Sequence, residues 1–216
     1  LQINEQGITG TVAIHGGGLL AARWRLPPIS GTATMTGKRV QGQLTVSEWQ
    51  SELRANGALE NNGGASGTLS MRSALVPAMG VGLAATPRQG QLEGKGRWQW
   101  RQTLKASGDI TLTGADLDWG SVTARGAAGV LHVEYDNGQV QLSSTGSVTV
   151  STLDIGTPIT DLALTVKSDL SQWQFTDIRA DLLGGYLRSP ALDWPSARPQ
   201  PVVISRIDLA LSLIHI

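Results

Sequence analysis

An all-β fold, an extended and twisted, mostly antiparallel sheet curled into a groove, is what this sequence predicts, and three observations carry the prediction. Apolar residues recur at period 2 rather than 3.6 through most of the 216 residues. Gly, Asn-Gly and Pro punctuate those runs, with 27 Gly and 9 Pro in all. Charged residues reach only 16%, against roughly a quarter in an average domain. Low side-chain volume per residue suits a long sheet better than a small compact core.

The first runs set the pattern. Ile8, Val12 and Ile14 alternate ahead of the Gly16-Gly17-Gly18 break, and Leu20, Ala22, Trp24 and Leu26 continue at period 2 until Pro27-Pro28. Residues 31–37 and 40–47 read as strands with small side chains. Residues 47–55 fit two patterns: a capping box from Ser47 and Gln50 with a Trp49/Leu53 pair, or a strand, which the flanking strands favour. Asn61 to Gly64 is a loop, and residues 71–86, interrupted by Pro77, Gly80 and Gly82, are the least patterned.

From residue 91 the alternation sharpens. Trp98 and Trp100 fall on one strand face and Arg97, Gln99 and Arg101 on the other. An internal echo follows: Leu117-Asp118-Trp119-Gly120 and Leu153-Asp154-Ile155-Gly156 are offset by 36 residues, from 117 to 153. Each leads into another alternating run, and Asn137-Gly138 marks a type I′ hairpin. Residues 177–209 form a meander, broken at Gly184-Gly185 and at Pro195, Pro199 and Pro201. No composition shift marks a linker, so residues 1–216 are expected to be one continuous β segment, with the best-patterned repeats over 91–209. The chain opens and closes inside strand-like runs, 1–4 and 207–216, and is expected to be part of a longer protein. Residues 212–216 break the pattern.

Chemistry is sparse. With no Cys there are no disulfides, thiolate ligands or cysteine nucleophiles. His15, His132 and His215 hold no metal-ligand spacing, and His132 is placed on a solvated face. No G-x-S-x-G elbow occurs. Asp116 with Asp118, and Asp177 with Asp181, resemble a glycosidase pair only in composition, since Asp116 and Asp118 alternate with Leu117 and Trp119 as a solvated strand face does. Gly94-Lys95-Gly96 lacks the context of a phosphate cradle and reads as a turn or bulge. Zero net charge leaves no field for a polyanion, so nucleic acid is not an expected partner. No catalytic residue, cofactor or metal is expected.

The remaining feature is physical: strand after strand places Leu, Val, Ile and Trp on one face and polar residues on the other. No long helical pattern is available to cover the apolar side. At about 25 cal/mol per Å² that face must curl, pack on another sheet or bind something apolar.

Ala180-Asp-Leu-Leu-Gly-Gly-Tyr-Leu, Leu192-Asp-Trp-Pro and Val202-Val-Ile-Ser-Arg-Ile-Asp-Leu, with the Leu-Asp-x-Gly echo, resemble the YdbH-like branch of the AsmA-like proteins of Gram-negative envelopes. The resemblance implies a periplasmic bridge, anchored at the inner membrane by an N-terminal helix outside this sequence and reaching the outer membrane with a small lipoprotein partner, along which phospholipids move between the two membranes. Acyl chains are then expected along a groove lined by Leu131, Val133, Tyr135, Leu162, Leu164, Val166, Trp173, Phe175, Tyr186, Leu192 and Trp194. A self-filled β-solenoid or sandwich of a surface adhesin fits the same composition. A polysaccharide-cleaving β-helix enzyme is a third reading, opposed by the lack of a convergent Asp, His and Arg cluster.

Overall fold

The computed structural model describes residues 2–4, 7–16, 20–21, 24–25, 27–61, 63–80, 86–195 and 201–205. Among them the chain forms β1 (Gln2–Asn4), β2 (Gly7–Gly16), β3 (Leu20–Ala21), β4 (Trp24–Arg25), β5 (Ile29–Thr36), β6 (Arg39–Val46), β7 (Ser51–Leu59), β8 (Ala65–Ala74) and β9 (Thr86–Trp100). There follow β10 (Leu104–Trp119), β11 (Val122–Asp136), β12 (Gln139–Ser144), β13 (Val148–Asp154), β14 (Pro158–Ser168), β15 (Trp173–Leu182), β16 (Gly185–Trp194) and β17 (Val203–Ser205). Two short 3₁₀ turns, Ser47–Trp49 and Pro77–Gly80, are the only helical pieces among the described residues.

Fifteen of these strands make one antiparallel sheet that follows chain order, while β3 and β4 pair apart. Among the described residues β1 and β17 end the path without meeting, so the sheet they form is open. β12 and β13 share the place beside β11, the first along Leu131 to Asp136 and the second along Thr123 to Ala128. The molecule exposes 14462 Å², where area–mass scaling gives about 9,500 Å² for a compact monomer of this size. That excess is the signature of an extended sheet.

Turn chemistry accounts for the meander. Asn137 and Gly138 take φ of 47° and 90° between β11 and β12, as a type I′ turn requires. Gly120 and Gly156, the final residues of the echoed Leu-Asp-x-Gly units, both have positive φ just past the ends of β10 and β13. The hairpin between β15 and β16 turns on Leu183 and Gly184 at φ of 50° and 73°, and Gly185 is already the first residue of the next strand. The 47–55 segment divides: its first three residues make a 3₁₀ turn with no side-chain cap and β7 follows. The alternation at 20–26 proves to hold two short antiparallel strands, paired Leu20 to Arg25 and Ala21 to Trp24. Expectations at Leu1, Gly17, Gly18, Ala22, Leu26, Asn62, Gly82, Pro199 and 206–216 lie outside the described residues.

Curvature has a local cause. Gly114 in β10, Gly126 in β11, Asp161 in β14 and Asp177 in β15 have φ between 51° and 65° and sit at register shifts or breaks in the ladders. Bulges bend a strand and raise its twist. Pro190 lies opposite Asp177 in the register, where an imide without N–H removes a ladder bond. Beside the first two bulges Ala115 and Ala127 are paired and buried at 0% and 5% exposure, small enough to let the sheet fold. The result brings β10 and β16 together across the apolar face: the Trp119 and Trp194 rings meet edge to face at 5.4 Å.

Candidate functional site

The register builds the apolar face in lateral rows. One runs Gly67, Trp98, Ala106, Tyr135 and Val140 from β8 to β12; the next runs Leu69, Gly96, Gly108, Val133 and Leu142. A third runs Leu53, Met71, Gly94, Ile110 and Leu131 from β7 to β11. Where the last two rows cross β9 and β10, three glycines leave the backbone bare. A pocket of about 150 Å³ opens there, walled by Leu53, Leu69, Met71, Ile110, Val133 and Tyr135. Gly94 and Gly96 are therefore not the turn or bulge their sequence suggested but the interior of β9, in unbroken register with β10. The strands need glycine at 96 and 108, where a Cβ on Gly96 meets Ser107 O at 2.5 Å and one on Gly108 runs into Lys95 O.

Trp98 bounds this region. A Cβ on Gly57, two strands away, would meet the Trp98 ring at 2.5 Å, so the indole lies across Gly67 on a bed of glycine. Its Nε1 is shielded and has no hydrogen-bond partner.

The expected lining residues separate into groups. Leu131, Val133 and Tyr135 lie on the apolar face of β11, and the latter two wall the pocket. Leu162 and Val166 are buried at 8% exposure. Leu162 belongs to a core with Ile159, Ile178 and Ala180, against which Leu164, Phe175 and Leu192 pack. The sheet from β13 to β16 is thus filled by its own side chains, whereas the part from β7 to β11 is open. Trp173 and Trp194 pair across β15 and β16 and border a polar-walled hollow of about 860 Å³ with His132, Glu134, Lys167 and Asp169. Tyr186 departs from the expectation. Leu187 takes the inward position against Ala180, so Tyr186 stands on the polar face opposite Asp181, with the Arg188 guanidinium 5.0 Å from its ring centroid.

On the polar face Asp116 and Asp118 are structural. Asp116 Oδ1 accepts the Gly126 N–H at 2.8 Å and so pins the bulge, while its Oδ2 accepts from Gln89 at 2.8 Å. Asp118 accepts from Arg88 Nε at 2.6 Å and faces Arg125 at 3.6 Å. The Arg88 hydrogen bond holds the Asp118 carboxyl below the usual carboxylate range. A glycosidase acid needs the opposite shift. His132 Nδ1 lies 2.7 Å from Asp109 Oδ1, and that hydrogen bond raises the imidazole pKa. Among the described residues no group of three His, Cys, Asp or Glu is placed to hold a metal ion.

Sequence reasoning missed the glycine floor. The signal was present in Gly94-Lys95-Gly96-Arg97-Trp98, where bare and charged residues alternate at period 2 inside an alternating run. The arrangement offers a solvent-open apolar lane that includes this glycine-floored depression, beside a face of paired charges, and it suits a flexible hydrocarbon.

Comparison with known proteins agrees with that chemistry. A family model described as YdbH-like, intermembrane phospholipid transport protein YdbH, matches residues 8–211. No curated protein and no solved structure matches.

Proposed function

The chain belongs to the YdbH-like family, and from that premise we propose that this sheet is a segment of a periplasmic bridge along which phospholipids pass between the inner and outer membranes. Acyl chains lie against the apolar face and headgroups stay in water at its rim. The observation that carries the reading is the open, glycine-floored pocket between β7 and β11 on a face otherwise built of Leu, Val, Ile and Trp. A methylene leaving water gains about 0.8 kcal/mol wherever it lands on such a face. Because apolar contact is non-directional, a chain slides with little change in energy and little selectivity for its headgroup.

Neutral net charge suits this role, since nothing in the overall field holds the sheet against an anionic bilayer. Among the described residues no helix is long and apolar enough to cross a membrane. The inner-membrane anchor and a small outer-membrane lipoprotein partner belong to this proposal through the family resemblance.

One observation favours a second reading. The core around Leu162 and Ile178 is closed by the protein's own side chains, as in a structural sheet of an adhesin. Lipid extraction and mass spectrometry of the purified chain distinguish the two. Conduit function predicts co-purifying phospholipid, displaced by detergent; a chain free of lipid that also takes none from vesicles favours the structural sheet.

A further inference from the structure

Three glycines floor the apolar pocket, and their reasons differ. Gly96 and Gly108 face each other across β9 and β10, where the neighbouring carbonyl oxygens leave no room for a Cβ. Gly94 is under no such constraint. It is buried, its φ is not in the left-handed region, and an ideal Cβ there lies 3.4 Å from Met71 Cβ and 3.5 Å from Ile110 Cγ1, ordinary contact distances. Glycine inside a strand gives up side-chain packing and backbone entropy. At position 94 that cost is not demanded by the backbone, and the missing side chain leaves Gly94 as floor of the pocket between Met71 and Ile110.

We propose that this space is a discrete seat for a segment of one phospholipid acyl chain, and that Gly94 sets its depth. The inference rests on the conduit reading and deepens it: hydrocarbon does not slide uniformly along the sheet but pauses where the floor drops. A volume of about 150 Å³ walled by Leu, Met, Ile, Val and Tyr matches the scale of apolar cavities that accept a benzene-sized group, which is about five or six carbons. Met71 on one wall supplies a side chain able to follow chains of different shape. Trp98, seated across Gly67, covers the row beside the floor. The pocket thus holds one chain segment and not two.

The test uses the purified chain with phosphatidylethanolamine vesicles whose acyl chains carry a diazirine; adducts formed on irradiation are mapped by peptide mass spectrometry. Adducts are expected at Leu69, Met71 and Val133 around the seat and at Trp119, farther along the same face. Gly94→Leu fills the seat and lowers the first set at least about tenfold, the scale on which methylene-sized changes alter apolar binding, with Trp119 labelling unchanged. Gly94→Ala, which fits the backbone, gives a partial loss and carries the test if the Leu variant fails to fold by circular dichroism. Undiminished labelling around the seat in a folded variant overturns the seat and leaves the conduit standing. Equal loss at Trp119 overturns the seat as a discrete site, and no labelling anywhere on the apolar face of the unaltered chain overturns both readings.

Discussion

Leu162→Ala and Leu69→Ala remove the same carbons from the same face of one sheet, yet they are expected to cost different amounts. Leu162 is 8% exposed and packs with Ile159, Ile178 and Ala180. Truncation there loses transfer energy and leaves a hole the neighbours cannot close, about 2–4 kcal/mol. Leu69 is half-buried on the wall of an open pocket. Its truncation creates no closed void, so the loss is the partial transfer term, about 1 kcal/mol. For a chain of this size each kcal/mol moves Tm by about 2–4 °C. Calorimetric or circular-dichroism melts are then expected to fall by roughly 6–12 °C for Leu162→Ala at about 3 kcal/mol, and by roughly 2–4 °C for Leu69→Ala. Equal falls would refute the reasoning, because they would mean that the β7 to β11 half is packed by its own side chains and has no open lane.

Two further outcomes follow from single contacts. The Asp109 hydrogen bond raises the His132 pKa above its ordinary 6.5, so its stabilisation is fully present below the unfolded value and is lost as pH rises through the folded pKa; Asp109→Asn should lower the pKa read by NMR titration, and an unchanged value contradicts the pairing. Gly67→Ala puts a Cβ 1.9 Å from Asn56 O in the β7–β8 ladder, so a loss of about 1–3 kcal/mol or more is expected in denaturant melts, larger than for Gly94→Ala, and a smaller loss contradicts the close approach.

What the sequence made legible is what local chemistry decides. Asn137-Gly138 announced its hairpin because both residues tolerate positive φ, and the placing of Asp116 and Asp118 opposite Leu117 and Trp119 follows from the two-residue period of a strand. Tyr186 lies on the face opposite to the one its alternation with Leu192 and Trp194 predicts, and the cause lies partly on the neighbouring strand. Leu192 and Tyr186 have the same parity, but the break at Asp177 and the facing Pro190 shifts the phase by one residue within β16, so Leu192 and Leu187 point inward and Tyr186 outward. In the sequence Gly94 and Gly96 look like punctuation because glycine carries no hydropathy signal, and only the pairing of β9 with β8 and β10 shows them as a floor. Asp161 and Asp177 gave no warning of their positive φ, since bulges at non-glycine residues depend on the opposing strand. Which half of the groove is filled and which is open depends on curl accumulated over many strands, and no window of sequence contains it.

Adjacent residues on one strand test the central claim most directly. Val133 faces the apolar lane and Glu134, its neighbour in β11, the polar side. A photo-crosslinking amino acid placed at each position in turn, in cells making the protein, is predicted to capture phospholipid from position 133 and little or none from 134. Equal capture at both positions, or none at either, would contradict a lipid path along the apolar face.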